Sequence, residues 1–175
     1  MIEKVFIRSW FALSNRNAGI QRILKMREAY ESLINGIDPL YVTQPATVPA
    51  MPGVDPDMRH WSILQILEHN VIVNRSIGLT VDTLARGKDT SELDQFDPKH
   101  DVMPSQSPDP HSLQSHTESI NTYLRTLEKL PKLRNTQTYN HPVFGPFDAH
   151  KWHQMFGFHL ILHYRQARVA LKTIS

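Results

Sequence analysis

Twelve prolines fall in three crowded stretches, and they limit where this chain can be regular. Proline lacks the N–H that an interior helical residue donates, and its ring collides with the preceding turn, so a cluster of prolines ends a helix. Pro39, Pro45, Pro49, Pro52 and Pro56 fill one stretch, Pro98, Pro104, Pro108 and Pro110 a second, and Pro131, Pro142 and Pro146 a third. Four proline-free blocks remain, at roughly residues 15–36, 58–87, 111–130 and 148–173, each long enough for several helical turns.

Each block carries apolar residues at helical spacing. The first places Ile20, Ile23, Leu24, Arg27, Tyr30 and Ile34 in register, with Gly36 as a stop. The second runs from Trp61 through Leu64, Leu67, Val71 and Ile72 to Leu84, and Gly87 follows. In the third, Asp109 before Pro110 suits an N-cap followed by proline at the first helical position, and Leu113, His116, Ile120, Tyr123, Leu127 and Leu130 form an inner seam. The fourth starts after Asp148 as N-cap and lines up Trp152, Phe156, His159, His163 and Gln166. No set of alternating strand segments competes with these four. The pattern predicts an all-α four-helix bundle in one domain, residues 1–175. The two proline-rich connections of about twenty residues are too long for simple bundle turns, so at least one is expected to be an overhand crossover.

Composition narrows the function. The chain has no cysteine, which removes disulfides, thiolate ligands and a catalytic protein thiol; any thiol chemistry must use a thiol brought by a substrate. Net charge is only +2, and the one modest basic cluster, Arg16, Arg22, Lys25 and Arg27, reads as a solvated face of the first predicted helix rather than a nucleic-acid track. No apolar run reaches the roughly 20 residues of a membrane span. The opening residues 1–14 lack a leader's continuous apolar core and cleavage site, so a cytoplasmic location is expected. Neither a Gly-x-Ser-x-Gly elbow, a His-Glu-x-x-His protease motif, a phosphate loop nor a pair of Glu-x-x-His motifs occurs.

The histidines carry the chemistry. His159 and His163 are four apart on the last predicted helix and so share a face, where two imidazoles can chelate one ion. Steps of four align Trp61, Gln65, His69 and Val73 on one stripe of the second, so His69 is expected on or beside its buried face. A lone inward histidine is more often a hydrogen-bonded core residue than a ligand, but three inward histidines change that balance. Three neutral imidazoles around an open position would hold an ion with room for water or substrate.

The run Trp61-Ser-Ile-Leu-Gln65-Ile-Leu-Glu-His69 resembles a motif of the DinB/YfiT-like superfamily, in which a tryptophan precedes the first metal histidine by about two turns. The run from His141-Pro-Val-Phe-Gly145 through Trp152 to His159-x3-His163-x2-Gln166 resembles that superfamily's C-terminal motif. The resemblance implies an up-down-down-up bundle whose divalent ion is held by His69, His159 and His163, zinc or nickel being suited to imidazole. It further implies transferase chemistry with a low-molecular-weight thiol. Metal-dependent hydrolysis and a non-enzymatic ligand-binding or stress-associated role with a structural metal stand as alternatives.

Trp61, His116, His141, Trp152 and Gln166 are candidates for the pocket or for support behind the ligands, with core packing the simpler reading for Trp61, Trp152 and His116. His141 is expected to orient its loop. His150 and His153, in the first turn of the last predicted helix, read as surface residues. Glu68 adjoins His69 in sequence, but one residue turns about 100° around a helix, so it should point away from the ion. Ile63, Ile66, Ile77 and Leu79 give the second predicted helix more apolar surface than one seam requires. Either a homodimer or the proline-rich segment 37–60 covers that surface, the homodimer being slightly favoured.

Overall fold

A computed structural model describes residues 2–130 and 132–174; Met1, Pro131 and Ser175, and with them the break expected at Pro131, lie outside the described residues. The chain forms α1 (Ile2–Leu13), α2 (Arg16–Asn35), the single-turn α3 (Pro39–Val42), α4 (Ile63–Ala85), α5 (Ser112–Glu128) and α6 (Ala149–Ile174). Between α5 and α6, β1 (Tyr139–His141) and β2 (Gly145–Phe147) pair antiparallel. Among the described residues no helix is long and apolar enough to cross a membrane.

The bundle consists of α2, α4, α5 and α6. Gln154 donates to the Asn15 carbonyl and Tyr30 to the Leu160 carbonyl, so α2 and α6 run in the same direction. Asn74 reaches Ser119 at 3.0 Å, and Gly78 lies against the Tyr123 ring one turn later, so α4 and α5 are also parallel. Contacts of Arg27 with Asn121 and of Glu31 with Thr117 make α5 antiparallel to α2. This is the up-down-down-up order, and the segment from Arg86 to His111 is the overhand connection that it requires.

Local chemistry sets the helix ends. Ser62 and Gln65 form a reciprocal capping box at the start of α4, with Ser62 Oγ accepting from the Gln65 N–H and Gln65 Oε1 accepting from the Ser62 N–H. At the other end Gly87 takes a φ of 66°, and the Lys88 N–H returns to the Thr83 carbonyl. That left-handed position is why a glycine follows the helix. Asp148 caps α6 by accepting from the Lys151 N–H. The expected cap at Asp109 is displaced: its carboxylate accepts from the His111 N–H, and the helix begins at Ser112.

The main core gathers Ile23, Tyr30, Leu67, Val81, Ile120, Leu127, Phe156 and Leu160, contributed by all four long helices. A second cluster answers the apolar excess of α4. Ala46, Val48 and Val54, from the proline-rich segment, pack with Ile63 and Ile66 of α4 and with Ala167 and Ala170 of α6. Ile77 joins the main core, and Leu79 stays exposed.

One element is added and two expectations are corrected. Residues 2–13 form a helix whose Ile7, Trp10 and Phe11 face α6, the Phe11 ring lying 5.6 Å from Phe158. The basic cluster is not a uniformly solvated face. Arg16 donates to the Leu127 and Leu130 carbonyls, Arg27 to Asn121 and Arg22 to Gln154, leaving Lys25 exposed. Finally, His150 and His153 are buried, because α1 and the start of α2 pack over the first turn of α6. His150 bonds through Nε2 to the Ser14 carbonyl, while His153 donates from Nε2 to the Arg16 carbonyl and accepts at Nδ1 from Tyr123.

Candidate metal centre

Two helices bring the three predicted histidines together. The capping box fixes where α4 starts, and His69 follows on its inward face. Trp61, just before the cap rather than on the helix, lies 5.0 Å from the His69 ring. His159 and His163, one turn apart on α6, face it. The Nε2 atom of His69 lies 3.2 Å from Nε2 of His159 and 3.2 Å from Nε2 of His163.

Hydrogen bonds at the far side of the rings set the tautomers of two of them. His69 Nδ1 donates to the Val102 carbonyl at 2.7 Å, and His163 Nδ1 donates to Gln166 Oε1 at 2.7 Å. The Gln166 amide is itself oriented, because its NH2 donates to the Met58 carbonyl at 2.6 Å. Both Nε2 atoms are therefore left with lone pairs facing inward. His159 is partly exposed, but its Nδ1 is buried and has no hydrogen-bond partner among the described residues.

Burial keeps all three rings neutral. It lowers the pKa of His69 to about 4 and that of His163 to about 3, and holds His159 well below the ordinary imidazole range, with smaller contributions from its histidine neighbours. Lone pairs on neutral imidazoles cannot satisfy one another. A divalent ion accepts all of them at once, and ligands at roughly 2.0–2.1 Å in a tetrahedral arrangement stand ~3.3 Å apart, close to the spacing here. The donor set fits such an ion, and among the described residues no carboxylate belongs to the group.

The other candidates are distributed around this centre. His116 is fully buried on α5, with its ring 4.6 Å from that of Tyr30 and neither nitrogen hydrogen-bonded among the described residues; burial lowers its pKa to about 3. His141 accepts the Val143 N–H at Nδ1, and its ring lies tilted 5.2 Å from that of Trp152, so it organises the hairpin. Trp152 donates from its indole to the Tyr139 carbonyl, tying that hairpin to α6. Glu68 points away and accepts from the Ser105 N–H and hydroxyl. Sequence reasoning missed the Val102 and Met58 carbonyls, which have no side-chain signature.

The outer contacts lead to a direct expectation. Gln166→Ala should leave the fold intact and weaken ion binding about 10–100-fold, because His163 loses the acceptor that fixes its tautomer. Competition against a chromophoric chelator measures this, and an unchanged affinity would remove Gln166 from the centre.

Comparison with known proteins agrees with this architecture. A solved structure described as TT2238, a four-helix bundle protein, superposes with a TM-score of 0.61 at 19% identity, covering 88% of this chain and 98% of that one. No curated protein matches the sequence. The family model of the DinB superfamily matches residues 22–167, a span that includes all four bundle helices except the first turn or two of α2 and the end of α6, together with the three histidines. The chain belongs to the DinB superfamily.

Proposed function

We propose that this protein binds one divalent ion, zinc or nickel, through His69, His159 and His163 and uses it in transfer reactions of a small thiol. The observation that carries this reading is the convergence of three neutral imidazoles, with Nε2 of His159 and of His163 each 3.2 Å from Nε2 of His69 and, among the described residues, no carboxylate in the group. When bound, the ion would supply Lewis acidity and favour the thiolate form of a coordinated thiol. The protein's own residues bind and orient. His69 and His163 are held by the Val102 carbonyl and Gln166, and Trp61 walls one side of the His69 ring.

Two features favour a thiol brought in from outside. The chain has no cysteine, and no carboxylate joins the histidine group among the described residues. A site without its own thiol or carboxylate suits a reaction whose nucleophile comes from the substrate. Hydrolysis is the runner-up, and a structural or ligand-holding ion is the reading outside catalysis.

The test is a turnover screen of metal-loaded protein with electrophiles plus several small thiols, run beside esters and amides. Ion-dependent turnover that requires a thiol is expected. Ion-dependent turnover only in the ester or amide series would replace transfer by hydrolysis, and an ion with no exchangeable position would assign it to structure.

A further inference from the structure

A second site candidate lies on the far side of α6. Arg165 is two residues from His163, a rotation of about 200° around the helix, so it turns away from the histidine centre. Together with Arg168 it faces Arg22 and Lys25 of α2 across a cleft of about 500 Å³. Tyr164, Met26 and Ile161 supply its less polar surface, and no acidic side chain lines it.

Four basic residues thus line one cleft of a chain whose net charge is only +2, with the Arg22 guanidinium at its Trp10 and Gln154 edge. None of them is within ion-pair distance of a carboxylate among the described residues. This contrasts with Arg86, Lys88 and Arg125, each of which has an acidic partner. Arg22 is also fixed in place: its guanidinium lies 4.3 Å from the Trp10 ring centroid and donates to Gln154, a neutral acceptor. Partial burial lowers its pKa, the sign of a cation that has lost water without gaining an anion.

The size and shape of the patch select the ligand. Arg16 and Arg27, which would extend the charge along α2, are turned toward α5 and engaged there. The cations are therefore a focal group rather than the long stripe that tracks a nucleic-acid backbone. A volume of this size is typical of small-molecule sites, and arginine forks match phosphate oxygens in bidentate fashion. We propose that the cleft between α2 and α6 binds a compact polyanion bearing phosphate groups, held by Lys25, Arg165 and Arg168.

Inorganic tripolyphosphate is the probe, titrated calorimetrically into the full chain at about 0.15 M salt, where unfocused surface attraction is screened. One site per chain is expected, weakened about tenfold or more in Arg165→Gln/Arg168→Gln, because both side chains are exposed and carry the bidentate contacts. Two further variants fix the location. His159→Ala/His163→Ala should bind tripolyphosphate as the wild type does, and Lys99→Gln/Lys132→Gln, with the same change in net charge on exposed positions elsewhere, should also be unaffected. Absence of saturable binding, equal weakening in the lysine pair, or loss confined to the histidine pair would each overturn the proposal. So would binding of polyuridylate that tightens with length and is not displaced by tripolyphosphate.

Discussion

Replacing His159 and His163 together by alanine is expected to abolish ion binding while leaving the helix content intact. The pair supplies two of the three converging nitrogens, and His69 alone is a monodentate ligand. Loss of even an outer partner typically weakens such sites by about 10–100-fold, so removing two direct donors should exceed a thousandfold. Elemental analysis after reconstitution should fall from about one ion per chain to none. The effect also appears as stability, because an ion at about a thousand times its Kd adds roughly 4 kcal/mol to the folded state. For a chain of this size that corresponds to a rise in Tm of about 8–16 °C, seen in the wild type and absent in the variant. The comparison rests on the shift with added ion, since removing two imidazoles also leaves space in the bundle. Equal occupancy in both proteins would sink the assignment.

Acid should unfold the ion-free chain at an unusually high pH. His116 and His153 are fully buried, and burial lowers their pKa values to about 3 and about 4. In the unfolded chain both return to ~6.5. Between those values the unfolded state binds protons that the folded state refuses, so stability rises with pH through that window and is lost as pH falls below ~6.5. Once pH is below both sets of values, each residue opposes folding by on the order of 3–5 kcal/mol. His69 and His163 act with the same sign when no ion is present. Against a total stability of about 5–15 kcal/mol, four such groups are decisive. Circular dichroism over a pH series with chelator should place the midpoint between about pH 4 and 6. A chain still folded below about pH 4 would show that these rings protonate in place at little cost.

The helices were legible because their punctuation is chemical: proline clusters, Asp148 before α6 and Gly87 after α4 all act through backbone geometry that a sequence displays. The histidine group was legible for a related reason, since a four-residue step on α6 fixes a shared face wherever the helix packs. What escaped depends on distant partners. Nothing local marks the first turn of α6 as buried, because α1 and the start of α2 cover His150 and His153. The helix at residues 2–13 does carry a signal, in Ile7, Trp10 and Phe11 at helical spacing, but it is short and precedes the first block bounded by prolines. Strands of three residues, as in the 139–147 hairpin, are too short for alternation to register.

The hydrogen bonds behind His69 and His163 lead out of the bundle helices. One reaches Val102 in the connection from α4 to α5, and the other, through Gln166, reaches Met58 in the connection from α2 to α4. Anything that draws the imidazoles together therefore also restricts two long chain segments and reduces their conformational entropy. Reciprocity requires the converse: a molecule that settles either segment raises ion affinity by the same factor by which the ion raises its own. Two chains with the same three histidines but different loop sequences would then hold their ions with different tightness, with no change at the ligands themselves.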